Sequence, residues 1–208
     1  MIVLVRHGRT EANARGLLLG RADPELDEAG RAQAVRLAAV LAPLDVARVV
    51  ASPLTRCHQT AQAIVGGAIA ARRAAGAETS SVPTVEVDER WIELDYGAFD
   101  GLTGGDVPDA TWAAWREDVT WAPEGGESLA ALGKRVRAAC ADLAADAHDR
   151  DVVVVTHVSP VKAAVAWALG VGDEVAWRLW VAPASISRIR VAGPVPTLRS
   201  FNELAHLG

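Results

Sequence analysis

Short apolar runs, rich in valine and isoleucine, alternate along the chain with longer stretches whose apolar residues recur every three or four positions. The short runs are typical of strands buried in a sheet, and the longer stretches are typical of amphipathic helices. The predicted strands are residues 2–5, 46–51, 83–87, 151–156, 185–191 and 197–202. The predicted helices are residues 27–41, 55–71, 128–147 and 159–169.

The order of these elements predicts the fold class. Strands that alternate with helices of ten or more residues indicate an α/β protein, here a three-layer α/β/α sandwich around a mostly parallel mixed sheet. The segment at about 88–128 is rich in Asp, Gly, Thr and Trp and has no strand period. We expect it to be an irregular insertion with short helices that covers the active site. A chain of 208 residues fits a single domain, residues 1–208.

Glycines and prolines mark the limits of the predicted helices. Gly66 and Gly67 weaken the second half of the helix over 55–71, because glycine has a low helix propensity. Pro160 is expected near the first position of the helix over 159–169, and Gly170 is expected to end it.

Composition and charge exclude several classes of protein. A net charge of −5 argues against a nucleic-acid partner bound through a broad basic face. No apolar run is long enough to span a bilayer, and the first residues have the pattern of a strand instead of a signal peptide, so we predict a cytoplasmic protein with no membrane partner. Cys57 and Cys140 are far apart in the sequence, and we expect both to be reduced and structural.

Polar side chains follow three of the predicted strands. Arg6 and His7 follow the first strand, Arg56 lies soon after the second, and His157 follows the strand over 151–156. A lone histidine is more often half buried in a core, and a lone Arg-His pair is more often on the surface. Because ligands of such sheets bind beyond the carboxyl ends of the strands, however, three coincident segments favour one functional site.

The residue types at this edge favour an anionic ligand over a metal ion. Zinc sites usually have three or four ligands at characteristic spacings, and neither His-Glu-x-x-His nor Cys-x-x-Cys occurs in the chain. Arg6 and Arg56 would repel a divalent cation, whereas guanidinium groups bind phosphate through paired hydrogen bonds. Their charge also disfavours protonation of His7, which leaves a ring nitrogen free as a nucleophile. His157, when protonated, would stabilise charge on the phosphoryl oxygens.

A phosphomonoester also needs an acid that protonates the departing alkoxide. Glu93 is the preferred candidate, since it stands between apolar and aromatic neighbours in residues 91–97 and burial favours the protonated form of a carboxyl. Glu89 and Asp95 are the alternatives. For each of the three carboxylates, a solvated surface position is at least as well supported by the sequence as a catalytic role.

Motifs spread over nearly the whole chain carry a family resemblance. They are R-H-G-R-T-E-A-N at residues 6–13, S-P-L-T-R with Q-T-A within residues 52–61, E-L-D-Y-G with G-L-T within residues 93–103, G-G-E-S at residues 125–128, and T-H at residues 156–157. Together these motifs resemble those of the histidine phosphatase superfamily, also called the phosphoglycerate mutase-like family.

The resemblance implies a role for each matched residue. It implies a phosphoryl-binding set formed by Arg6, Asn13, Arg56, His157 and Val158. By the same resemblance His7 becomes phosphorylated, and Glu93 protonates the leaving group and then activates the water that hydrolyses the phosphohistidine. Neither a metal nor a cofactor is implied.

Two segments depart from the commoner family pattern. The residues after His157 are V-S-P-V-K, where many members have two small residues and an arginine, and Phe99-Asp100 replaces a frequent Trp-Glu pair. These departures affect the expected specificity more than the central chemistry.

The leading hypothesis is a phosphatase that acts on a small phosphorylated metabolite, as members similar to α-ribazole phosphatase and broad-specificity phosphatases do. A cofactor-dependent phosphoglycerate mutase is the alternative, although such mutases tend to have a longer insertion between the positions of Arg56 and Glu93. A non-catalytic phosphoryl-binding domain is a second alternative. The sequence leaves a homodimer open. Trp112, Trp115 and Trp121 fit the lining of a substrate pocket, but the core of the insertion is the preferred interpretation, and no ligand is assigned to them.

Overall fold

Six strands form one mixed sheet in the computed structural model, which describes residues 1–208. The strands are β1 (Ile2–Arg6), β2 (Val46–Ala51), β3 (Val85–Val87), β4 (Asp151–Thr156), β5 (Ile186–Arg190) and β6 (Thr197–Glu203). Their order across the sheet is β3-β2-β4-β1-β5-β6. The first four strands are parallel to one another. Strand β5 pairs antiparallel with β1, and β6 pairs antiparallel with β5. The α/β class and the mostly parallel mixed sheet are therefore confirmed.

Helices cover both faces of the sheet. They are α1 (Glu11–Ala14), α2 (Glu28–Leu41), α3 (Thr55–Ala74), α4 (Asp109–Glu117), α5 (Leu129–Ala144), α6 (Asp146–Asp149) and α7 (Val158–Leu169). Alternate side chains of β1 reach opposite cores: Val3 and Val5 pack with α2 and α3, whereas Ile2 and Leu4 pack with α5 and α7. All four side chains are fully buried, and burial of each one stabilises the fold by roughly 1.5–3 kcal/mol.

Helix α3 continues three residues beyond its predicted end, through Gly66 and Gly67. A Cβ atom at Gly67 would lie 2.6 Å from the Cβ of Ala38 on α2. The glycine therefore permits a close approach of α2 and α3, and this packing offsets its low helix propensity.

Helix α7 begins at Val158, one residue before its predicted start, so Pro160 occupies the third helical position, within the first turn. The helix tolerates proline there because backbone N–H groups of the first turn have no acceptor within the helix. Gly170 ends the helix at φ +66°, as predicted.

Other boundaries also differ from the predictions. Helix α5 ends at Ala144 and a separate short helix, α6, follows, while the strand predicted over 83–87 is reduced to β3. Within residues 88–128 the structure has two short 3₁₀ helices and the nine-residue α4. A 3₁₀ helix, Asp173–Arg178, was not predicted.

No helix has the length and apolar character that a membrane span requires. Cys57 and Cys140 are free and buried.

Candidate active site

His7 lies just beyond the carboxyl end of β1 and is only 2% exposed. Its Nδ1 atom is 2.7 Å from the carbonyl oxygen of Gly8, an acceptor, so Nδ1 carries the proton and Nε2 is left unprotonated. Burial holds the pKa of His7 well below its usual value, and the cations Arg6 and Arg56 lower it further. At neutral pH the residue is thus a neutral imidazole with a free nucleophilic nitrogen.

The loop that carries His7 is fixed by close packing and by one threonine. A Cβ atom at Gly8 would lie 2.5 Å from the carbonyl oxygen of Gly30 in α2, so only glycine allows this approach. The Oγ1 atom of Thr60 accepts from the Gly8 N–H at 3.1 Å and donates to the carbonyl oxygen of Arg56 at 2.8 Å. The nucleophile is therefore anchored to α3.

Arg56 is fully buried in the first turn of α3. Its Nη1 atom donates to the carbonyl oxygen of Ala22 at 2.7 Å, and its Nη2 atom donates to that of Gly20 at 3.0 Å. Burial lowers the pKa of Arg56, and neighbouring carboxylates such as Glu93 work against this shift. Each terminal nitrogen keeps a second hydrogen, which is available to an anion.

The segment that holds Arg56 is itself held by Asp100. The carboxylate of Asp100 accepts from the backbone N–H groups of Gly20 (2.8 Å), Arg21 (2.9 Å) and Ala22 (3.1 Å). The aspartate in the unusual Phe99-Asp100 pair thus orients the carbonyl groups that position the guanidinium of Arg56.

Arg6 is the second cation of the site. Its Nη1 atom donates to the carbonyl oxygen of Val181 at 2.7 Å, whereas its buried Nε–H group has no acceptor. Burial lowers the pKa of Arg6 to about 10, and the nearby Glu93 partly opposes this effect. The side chain remains cationic at neutral pH, and its unpaired donor is suited to a bound anion.

His157 lies edge-on to His7, with ring centroids 5.1 Å apart. Its Nδ1 atom accepts from Nε of Arg56 at 3.3 Å, so its Nε2 atom donates to Oγ of Ser52 at 2.7 Å. Burial, reinforced by Arg56, lowers the pKa of His157 well below its usual value. These surroundings favour the neutral ring, and the cationic role of His157 stays a prediction.

Glu93 is buried, with 3% exposure, in the segment that follows the first 3₁₀ helix. Its Oε1 atom accepts from the backbone N–H groups of Leu94 (2.8 Å) and of Ser159 in the first turn of α7 (3.1 Å). The Oε2 atom has no partner in the protein, so a proton on this carboxyl is best carried by Oε2. Of the two alternatives, Glu89 is exposed, and Asp95 accepts from the N–H of Gly97 at 2.9 Å.

Arg135 of α5 positions the segment that carries Glu93, and no motif or spacing in the sequence indicated this role. Its guanidinium donates to the carbonyl oxygens of Arg90 at 2.6 Å and Glu93 at 3.2 Å. It also forms two hydrogen bonds with the carboxylate of Glu127. The acidic residue of the G-G-E-S motif thus acts through an arginine in the second turn of α5.

The remaining predicted residues lie at the rim of this group. The Oδ1 atom of Asn13 accepts from the backbone N–H and hydroxyl groups of Thr10, which leaves its amide nitrogen as a donor. Val158 is the first residue of α7 and is partly exposed. Arg9 pairs with Asp27 at 2.8 Å.

Two arginines, a neutral nucleophilic imidazole and a buried carboxyl meet beyond the ends of parallel strands β1, β2 and β4, and this arrangement is typical of phosphoric monoester hydrolases. The chain belongs to the histidine phosphatase superfamily (branch 1), whose sequence profile matches residues 2–204.

Characterised relatives include phosphatases of small metabolites. The chain is 39% identical over 167 residues to a glucosyl-3-phosphoglycerate phosphatase of Mycobacterium tuberculosis, with 75% of this chain and 69% of the relative covered. It is 30% identical over 211 residues to phosphoserine phosphatase 1 of Hydrogenobacter thermophilus, with 100% and 94% covered. A solved structure of mycobacterial glucosyl-3-phosphoglycerate phosphatase in complex with VO3 matches with a TM-score of 0.82 at 30% identity, over 98% of this chain and 99% of the other.

Proposed function

We propose that the protein hydrolyses a small phosphomonoester through a phosphohistidine on His7. The observation that carries this proposal is the fixed tautomer of His7: Nδ1–H is held by the Gly8 carbonyl group, and Nε2 is free beside two arginines. A buried neutral imidazole with this orientation is a nucleophile at neutral pH.

Arg6 and Arg56 bind the phosphoryl oxygens in this proposal. Their free N–H donors supply the positive charge that a transferring phosphoryl group needs, so neither a metal ion nor a cofactor has a role in the reaction. The amide of Asn13 and the α7 N-terminus at Val158 add donors from the rim. His157 gives up its hydrogen bond to Ser52 and donates from Nε2 to a phosphoryl oxygen instead.

The reaction proceeds in two displacements. In the first, Nε2 of His7 bonds to phosphorus, the ester P–O bond breaks, and Oε2 of Glu93 gives its proton to the leaving oxygen. In the second, Glu93 takes a proton from a water molecule whose oxygen bonds to phosphorus, and the P–N bond breaks. The products are an alcohol and inorganic phosphate. The relatives named for phosphoserine and glucosyl-3-phosphoglycerate support a small phosphorylated metabolite as substrate.

The test measures phosphate release and enzyme labelling in excess chelator. With a ³²P-labelled phosphomonoester and a denaturing alkaline quench, the wild type is expected to carry label, and His7→Ala is expected to lose the label and at least a thousandfold in kcat. His148→Ala is the matched control, because this histidine is 61% exposed and lies outside the site. Loss of activity on chelation, or labelling of His7→Ala, would overturn the proposal.

The mutase alternative is tested with 3-phosphoglycerate plus bisphosphoglycerate. We expect inorganic phosphate to form faster than 2-phosphoglycerate, and rapid exchange between the two isomers would overturn the assignment as a hydrolase.

A further inference from the structure

A cavity of about 190 Å³ lies beside Glu93. Nine of its eleven lining residues are hydrophobic, and the aromatic ones come from the insertion and from the 3₁₀ helix Asp173–Arg178. Trp112 and Trp115 are stacked, with centroids 5.7 Å apart and an angle of 18° between the rings, and Trp177 meets both edge-on. Trp112 and Trp115, for which the core of the insertion was the preferred interpretation, thus also form part of the wall of a cavity.

Two residues that contact the carboxyl of Glu93 also line the cavity. Leu94 and Ser159, whose backbone N–H groups hold Oε1 of Glu93, both line it. In the proposed reaction Glu93 protonates the oxygen of the leaving group, so the rest of the leaving group extends toward these walls.

The cavity has two non-hydrophobic lining residues, Ser159 and Lys162. Lys162, one turn beyond Val158 on α7, is its only charged lining residue and has no carboxylate within ion-pair distance. Burial lowers the pKa of Lys162, and Glu93 partly opposes this shift. A half-buried ammonium without a counter-ion favours a ligand that supplies an anionic acceptor.

The size of the cavity limits that ligand. An apolar cavity of about 150 Å³ accommodates benzene, so the slightly larger volume here fits a single ring with one small substituent. Flat tryptophan faces favour a planar or compact apolar body.

We infer that this cavity binds the alcohol part of the substrate and selects one with a compact ring and a carboxylate that pairs with Lys162. The inference rests on the proposed phosphatase activity. It assigns Lys162 to recognition of the leaving group.

The test compares benzyl phosphate with 4-carboxybenzyl phosphate, which differ only in the carboxylate. We expect wild-type kcat/KM to favour the carboxylated ester about tenfold, as one charge-assisted contact allows. In Lys162→Met, which keeps the apolar stem, the ratio of the two kcat/KM values should fall to about one. Lys134→Met is the matched control, because Lys134 is the only other lysine, is exposed, and lies on α5 outside the cavity. It should keep the tenfold ratio.

A second measurement is independent of turnover. In His7→Ala, 4-carboxybenzyl phosphate should change the tryptophan fluorescence on binding, and the additional Lys162→Met substitution should raise its Kd about tenfold. A preference that persists in Lys162→Met, or a wild type that does not discriminate, would overturn the inference. Hydrolysis of phosphoserine with labelling of His7, but without hydrolysis of either benzyl ester, would overturn the inference and leave the proposed function intact. Absence of labelling with every ester would overturn the proposed function itself.

Discussion

Arg135 and Glu127 form a two-armed ion pair, in which Nε and Nη2 each lie 2.8 Å from a carboxylate oxygen. The same guanidinium donates to the carbonyl oxygens of Arg90 and Glu93. Helix α5 is therefore hydrogen-bonded to the backbone of Glu93, the proposed acid. The side chains of both partners are mostly buried, so this pair is less screened by solvent than a surface pair.

Arg135→Met is expected to lower kcat for an alkyl phosphate about ten- to hundredfold with little change in KM, because it displaces the acid without touching the phosphoryl site. Steady-state kinetics with benzyl phosphate and p-nitrophenyl phosphate measure this effect. The loss should be smaller for the nitrophenyl ester, whose leaving group needs no proton. Arg137→Met is the control, since Arg137 lies on the same helix but pairs with Asp173. An equal loss for both esters would contradict a positioning role.

Glu93→Gln should separate the two displacements. Without the acid, kcat for an alkyl phosphate is expected to fall about 10²–10⁴-fold. With p-nitrophenyl phosphate, His7 should still be phosphorylated, but hydrolysis of the phosphohistidine should be slow because the base is missing. Stopped-flow measurements should therefore show a burst of one nitrophenol per enzyme, followed by slow turnover. Glu89→Gln, at an exposed carboxylate, should behave as the wild type. Absence of a burst would count against Glu93 as the base.

The two buried histidines make stability depend on pH. The pKa values of His7 and His157 are lowered in the folded protein, so below about pH 6.5 the unfolded chain binds protons that the folded chain does not. Their contribution to stability is full above that pH and is lost as the pH falls. The free energy of unfolding should decrease by up to about 2.7 kcal/mol per pH unit for two such groups.

Urea unfolding at pH 7.5, 6.5 and 5.5 measures this slope. His157→Gln should remove about half of it, and His148→Gln, at an exposed histidine, should leave it unchanged. A free energy of unfolding that stays constant or rises toward pH 5.5 would show that the histidines are not buried in their neutral form.

The sequence predicted the sheet and the location of the site because both depend on local patterns. Strand β4 has an uninterrupted run of valines, and His157 follows it directly. His7 and Arg56 follow β1 and β2 in the same way, and parallel strands bring such positions to one edge. Which residues occupy that edge was therefore predictable, although the roles assigned to them stay predictions.

The supporting residues could not be predicted because their roles depend on how helices pack. Arg135 and Arg137 lie two positions apart on α5, and the pattern does not show which of them faces the segment that carries Glu93. Lys162 reaches the cavity only because the first turn of α7 lies against that same segment. Similarly, the low helix propensity of Gly67 predicted a weak second half of α3, and the sequence does not show its close packing against Ala38.

Thr60 offers a test of how firmly the nucleophile must be held. Its Oγ1 atom is the acceptor for the buried N–H group of Gly8, next to His7. Thr60→Val keeps the shape of the side chain but leaves that N–H unsatisfied, at a cost of about 1–3 kcal/mol. We expect both the free energy of unfolding and kcat to fall, and Thr60→Ser to restore both. Hydrogen exchange should show faster exchange of the Gly8 amide in Thr60→Val alone. If Thr60→Val kept wild-type kcat and amide protection, the loop would be held by its packing against Gly30 and not by this hydrogen bond.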